Sequence, residues 1–359
     1  MTQQALIAAE VAKAVEKCIE RFIPFVLYAE PAKTACRFHA SENIRRVSAE
    51  TYFDKGTPGD FAISFFEDSG DCIVIPDDLS VNDVLSGNLY GEAPRIAPSL
   101  NSTDKNMYIS KVSSLISEMR LDRSKTVVSR LISMQGVSPV IAAEKYFSLF
   151  DRTFRYLYYT SETGLWIGAT PELLCDFNPD NNSLDTMSLA GTRPAGSAGE
   201  WDRKNIDEHN YVTDFIRKIL LEEGAEVSVD EPFSMLYGKI EHLCESIKAK
   251  GINNPGKIVS RLSPTPAVCG TPKELAMCRI GDTESHSRYC YGGWLGIIDR
   301  QHTACYVNLR CAFAGYNSSG TYTYNIYAGG GVTGDSVAST EWDETEAKAS
   351  ALVQCCKIH

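Results

Sequence analysis

Apolar residues recur at helical spacing in some stretches of the chain and alternate in others, and this pattern predicts most of its elements. Val11, Val15, Cys18 and Phe22 form a helical stripe that stops before Pro24. Val112, Leu115, Ile116 and Met119 mark a helix over Asp104–Met119, followed by a strand rich in Val and Ile over Thr126–Met134. Pro139–Phe150 reads as a helix, and short strands are expected at Phe154–Tyr159, Leu165–Ala169, Leu173–Phe177 and Leu184–Leu189. A helix from about Asp202 to Glu223 ends at Gly224, and another is expected over Pro232–Lys248. Strands at Tyr289–Ile298, Ala304–Phe313 and Tyr322–Tyr327 are spaced as antiparallel neighbours, and a final helix covers Ser339–Gln354. Runs of strands broken by pairs of helices predict an α+β protein with antiparallel sheets.

Composition narrows the class. The 359 residues suffice for one large domain or two closely packed halves, and no low-complexity tract or evident linker divides them. The Pro/Gly/Asn stretch Gly87–Ser99 is the best break, separating a variable N-terminal part (1–100) from the remainder (101–359) of one intimately packed domain. A net charge of −11 argues against a nucleic-acid surface, which needs a basic stripe. No apolar run is long enough to span a membrane. The 12 cysteines are scattered without a CxxC pair and no signal peptide is evident, so reduced thiols in a cytoplasm are expected. A small anion can still bind an acidic protein if local cations or a metal receive it.

Candidate chemistry lies in a few charged residues in unusual settings. On the last helix Glu341, Glu344 and Lys348 share a face, immediately after the bare backbone of Ala328-Gly-Gly-Gly-Val332. This could be a solvated face with a Glu344–Lys348 pair, or an oxygen-liganded cation site beside an anionic substrate. Glu208 lies on the apolar stripe of Val212, Phe215 and Ile219, either as a first-turn glutamate favoured by the helix dipole or as a ligand. Carboxylates from two helices favour Mg²⁺ over zinc. Lys125 opens a strand and is a surface charge unless enclosed, in which case it could act as a base. Glu172 follows a proline between two strands, as a turn carboxylate or a desolvated acid. His242 and Arg310 are isolated polar residues among apolar neighbours, structural or functional.

In order and spacing these residues resemble the chorismate-utilising enzymes, over roughly Thr103 to Cys356. The motifs are Lys125-Thr-Val-Val-Ser-Arg130, Thr170-Pro-Glu-Leu-Leu174, Leu189-Ala-Gly-Thr-Arg193, Glu208-His209, Leu262-Ser-Pro-Thr-Pro-Ala-Val-Cys-Gly270, and Tyr327-Ala-Gly-Gly-Gly331 with Glu341-Trp-Asp-Glu-Thr345 and Lys348. Arg288, Tyr291, Gly293 and Gly296 match a further family strand. The resemblance implies a sandwich of two large, mostly antiparallel sheets with helices outside. Lys125 and Ala267 match the members that add water, isochorismate and salicylate synthases, where ammonia-using anthranilate synthases differ. It implies Lys125 as base, Glu172 as acid, and Mg²⁺ on Glu208 and Glu344 with Glu341 behind. Arg310, Lys348 and the backbone near Gly191, Thr192 and Gly329 would hold the carboxylates of chorismate, with His242 near its ring.

The implied activity is that of a Mg²⁺-dependent isochorismate synthase feeding menaquinone or siderophore synthesis, with no glutamine amidotransferase subunit. Salicylate synthesis and a catalytically dead binding subunit are the alternatives. This chain departs from the family in having Ser263 where histidine is usual, Gly-Gly-Gly for Gly-Ala-Gly, and extra residues over Tyr316–Tyr324.

Overall fold

Antiparallel pairing gathers the strands into two sheets, described by a computed structural model over residues 6–316 and 321–358. The eight-stranded sheet runs Gly270–Thr271, Lys125–Gly136, Tyr322–Thr333, Cys311–Tyr316, Gly164–Thr170, Phe154–Thr160, Phe25–Ala29, Arg37–Ala40. The ten-stranded sheet runs Glu226–Val229, Ile240–Lys250, Ser183–Pro194, Leu173–Asn178, Thr303–Val307, Trp294–Ile298, Phe61–Ser64, Asp71–Ile75, Arg45–Ser48, with Phe233–Tyr237 also on Ile240–Lys250. Strands from the first hundred residues thus enter both sheets.

Side-chain alternation sorts each strand between two cores. Along Phe154–Thr160 every residue is buried: Phe154, Tyr156 and Tyr158 face the other sheet, and Leu157 and Tyr159 face the outer helices. Each such side chain contributes about 1.5–3 kcal/mol of transfer free energy. Helices Ala9–Arg21, Pro139–Leu149 and Ala338–Cys356 cover the eight-stranded sheet, and Ala49–Lys55, Arg203–Glu222 and Pro255–Leu262 cover the other. The architecture is α+β, two stacked antiparallel sheets with helices outside. Among the described residues no helix is long and apolar enough to cross a membrane.

Three expectations need correction. The helix expected over Pro232–Lys248 is a hairpin, Phe233–Tyr237 against Ile240–Lys250, with Tyr237 opposite Ile240. Gly238 takes φ 59° in the two-residue turn, and the long strand pairs along Ser183–Pro194 on its other side, satisfying backbone groups a helix would satisfy internally. Its apolar residues fit either period, so tertiary pairing decided. The strand expected over Ala304–Phe313 is two, Thr303–Val307 and Cys311–Tyr316, in different sheets. The chain crosses over at Asn308–Arg310, where Arg310 stands at φ 55°. The strand expected from Tyr289 begins at Trp294, after a turn with Tyr289 and Gly292 at positive φ. Helices at Pro255–Leu262 and Lys273–Thr283 were not anticipated. Of the extra Tyr316–Tyr324 stretch, residues 317–320 lie outside the described residues.

Candidate active site

One cleft collects most of the candidate residues. Glu172, Gly191, Thr192, Glu208, His242, Ala267, Arg310, Gly329 and Lys348 all line it, with apolar surface from Val127, Leu189, Leu309, Tyr291 and Tyr327. Both sheets contribute, because the crossover at Asn308–Arg310 delivers Arg310 between them. Lys125, Glu341 and Glu344 stand behind this lining.

Glu172 follows Pro171 at the end of Gly164–Thr170, where the Thr170 hydroxyl donates to the Val307 carbonyl at 2.7 Å. The carboxyl is 2 % exposed and accepts a hydrogen bond from Thr265 at 3.2 Å. Burial pushes its pKa up to about 7, outweighing the pull of Thr265, Lys125 and Arg310. A carboxyl that is part protonated near neutral pH suits proton donation to a leaving group.

His242 sits on the hairpin strand and acts on Arg310. Its Nδ1 lies 2.9 Å from the Gly191 carbonyl, which fixes the proton there, so Nε2 accepts from Arg310 Nη2 at 2.7 Å. Burial first, then Arg310 and Lys348, hold its pKa well below the ordinary value, so the ring is neutral. Arg310 packs over Tyr237 at 4.8 Å, and its Nη1 is buried without a partner. That geometry suits a carboxylate. Gly191, at φ 74°, forms the bulge between Ala190 and Thr192, and an added Cβ would stand 3.2 Å from Asn205. The Thr192 amide, expected to meet substrate, instead donates to Asn205 Oδ1 at 2.9 Å. The hydroxyl of Thr192, 3.2 Å from His242 Nδ1, faces the cleft side of this strand.

The adjoining wall pairs three glutamates with three lysines. Lys125, fully buried, lies 3.0 Å from Glu208; Lys204 donates to Glu341 at 2.8 Å; Lys348 meets Glu344 at 2.5 Å and donates to the Gly329 carbonyl at 3.0 Å. Burial raises the Glu208 pKa, but Lys125, Lys348 and Lys204 together bring it below the ordinary value. Burial and then Glu344 raise that of Glu341 against Lys204. The glycine run is what admits these groups. A Cβ at Gly331 would lie 2.3 Å from the Glu208 carboxylate and 3.2 Å from Lys125 Cε, and one at Gly329 would lie 2.6 Å from the Tyr291 hydroxyl. The Glu344–Lys348 pair is present, yet Glu341 is 1 % exposed, so this is no solvated face.

These donors fit a hard cation of restricted kind. Glu341 Oε2 is buried without a hydrogen-bond partner, but among the described residues no three His, Cys, Asp or Glu side chains converge on one point. That set suits an ion such as Mg²⁺, which takes one or two carboxylates and completes its shell with water and ligand oxygens. The expected division, Glu344 direct and Glu341 outer, is not visible: here Glu344 is engaged and Glu341 has the open oxygen.

Sequence reasoning missed Lys204, Asn205 and Thr265. Lys204 precedes Glu208 by one turn, and Asn205 follows the helix N-cap Asp202, whose side chain accepts from its amide at 2.8 Å. Those local signals existed, but only the fold aims them. Arg288 was seen as a motif residue, and its work is structural. It donates to the Val268 and Val127 carbonyls at 2.7 Å each and to Glu284, tying the Pro-Thr-Pro loop to the strand of Lys125. Ser263 keeps that loop through its carbonyl, which accepts from Ser69 at 2.7 Å and Lys273 at 2.6 Å.

Residues 86–357 match the chorismate binding enzyme family, and the chain belongs to it. Among curated relatives, isochorismate synthase EntC of Escherichia coli K12 is 27% identical over 252 residues, covering 66% of this chain and 63% of that protein. MenF of the same organism, also an isochorismate synthase, is 30% identical over 254 residues, covering 66% and 56%. This chain therefore spans less than two thirds of the length of either. The solved structure of E. coli MenF superposes with a TM-score of 0.76 over 99% of this chain and 92% of that chain, at 18% identity, which shows a common fold.

Proposed function

We propose that this chain is an isochorismate synthase, converting chorismate to isochorismate. The observation that carries the reading is Glu172: a buried carboxyl whose pKa burial raises to about 7, in a cleft that also presents Arg310, Lys348 and the lysine-paired Glu208. Arg310 Nη1 and Lys348 would receive the two carboxylates of the substrate. Water adds at C2 as its proton passes to Lys125, the ring double bond shifts, and the C4–O bond breaks with a proton from Glu172, so water enters and leaves. Glu208 stands 3.0 Å from the Lys125 ammonium nitrogen, so base action requires that contact to loosen. Glu208, Glu341 and Glu344 are the groups that would hold Mg²⁺, which supplies charge to orient the ring carboxylate. Acid and base are each worth ~10²–10⁴-fold.

The likeness to both EntC and MenF supports the reaction rather than one downstream pathway. Incubation with chorismate and Mg²⁺, without an amine donor, should accumulate isochorismate on chromatographic analysis. Salicylate with pyruvate would instead make it a salicylate synthase, and binding without turnover a dead relative.

A further inference from the structure

A second cleft abuts the first across Glu208, between the end of helix Lys105–Asp122, the turn after strand Tyr322–Thr333 and the start of helix Arg203–Glu222. Arg120, Arg123, Arg203 and Lys204 line it, against Asp207, Asp335 and Glu208. Most of these charges are committed. Lys204 reaches Glu341 at 2.8 Å, Arg203 lies 3.6 Å from Asp207, and Glu208 turns to Lys125. Arg120 spends only its Nε, on the Gly334 carbonyl at 3.0 Å. Arg123, the left-handed cap of its helix, has no ion-pair partner among the described residues. The uncommitted balance is therefore two arginines against Asp335, on a chain whose net charge is −11. Ser124 and Glu208 line this cleft, Ser124 precedes the buried Lys125, and Glu208, which also lines the active-site cleft, lies 3.0 Å from it.

We propose that this cleft is the port by which a small dicarboxylate is captured and led to the Lys125–Glu208 end of the active site, with Arg120 and Arg123 as the capturing charges. The ligand class rests on the chorismate reading above. A dianion approaching an acidic protein is repelled from most of its surface, and a concave, low-dielectric patch of opposite sign focuses the field and raises its local concentration. The two arginines flank the route without lining the active-site cleft, so they act on approach more than on the bound state.

The test measures association of chorismate by stopped-flow protein fluorescence in a Glu172→Gln background, expected to bind without turnover. Arg120→Gln with Arg123→Glu should slow association about ten-fold at low salt. The deficit should shrink toward two-fold in about 0.5 M salt, where screening acts within a few ångströms. Arg120→Lys with Arg123→Lys, which keeps charge and loses the Gly334 bond, should restore the rate. A variant of equal charge change elsewhere, Lys13→Glu with Lys218→Gln, should stay within two-fold of the parent. Rates and salt dependence indistinguishable from that control overturn the port. So does a weakened equilibrium constant with an unchanged association rate, since the arginines are then contacts of bound ligand. A parent protein that neither binds nor turns over chorismate defeats the functional reading itself, a distinct result.

Discussion

Glu172 and Glu208 line one cleft, and both are withdrawn from water, yet their carboxyl pKa values move in opposite directions. Around Glu172 the nearest polar contact is a neutral hydroxyl, Thr265 at 3.2 Å, so desolvation dominates and the pKa rises to about 7. Beside Glu208 the Lys125 ammonium stands at 3.0 Å, and with Lys348 and Lys204 it more than offsets the same desolvation. Burial alone therefore does not set the direction in which a carboxyl of this cleft shifts. The nearest cation sets the direction, because the lysines stand closer to Glu208 than to Glu172.

Removing that cation should produce the largest effect. Lys125→Ala takes away the proposed base and leaves Glu208 enclosed without its partner. Turnover of chorismate should fall ~10²–10⁴-fold, and unfolding in urea should show a loss of about 3–5 kcal/mol. A variant as active as the parent would sink the mechanism. The Glu208 carboxyl should also move from below its ordinary pKa toward behaviour like that of Glu172.

Glu172→Gln probes the other wall. The folded-state pKa near 7 lies above the unfolded value near 4.3, so the native protein binds more protons between them, and its stability falls as pH rises through that window. Glutamine removes the penalty. Urea unfolding at pH 8 should find the variant more stable by up to about 3–4 kcal/mol, with little difference near pH 4, while turnover is lost. Glu208 has the opposite sign: its contribution is present above the unfolded pKa and lost as pH falls through its lowered folded pKa.

Gly331→Ala attacks the lysine-paired wall sterically. A methyl 2.3 Å from the Glu208 carboxylate must push it from Lys125, at about 1–3 kcal/mol in denaturant unfolding and with reduced turnover. Thr265→Val is the mildest change. It removes the hydrogen bond that holds the Glu172 pKa down, so the alkaline limb of the pH–rate profile should move to higher pH, for about 1 kcal/mol of stability. A shift to lower pH would mean that desolvation does not govern Glu172.

Local information settled much of this molecule in advance. The alternation over Phe154–Phe177 and the helical stripes at Val112–Met119 and Val11–Cys18 yielded elements within a few residues of those observed, because each buries one face at its own period. The ordered motifs likewise pointed to Glu172, Lys348 and the glycine run, and the resemblance they carry to Arg310; all share one cleft. What the residues alone could not decide was where long-range pairing overrides a local period. The stretch Pro232–Lys248 carries apolar residues compatible with helix or strand, and only pairing with Ser183–Pro194 made it a hairpin and placed His242 to hold Arg310. Nothing in Ala304–Phe313 marks the crossing between sheets that puts Arg310 in the cleft. Spacing showed the Glu344–Lys348 pair, but it could not show that Lys125 and Lys204 would each meet a glutamate, one 83 residues away in Glu208 and the other 137 away in Glu341. Electrostatics in a cleft depends on distance in space and on exclusion of water, and both exist only once the two sheets have closed on each other.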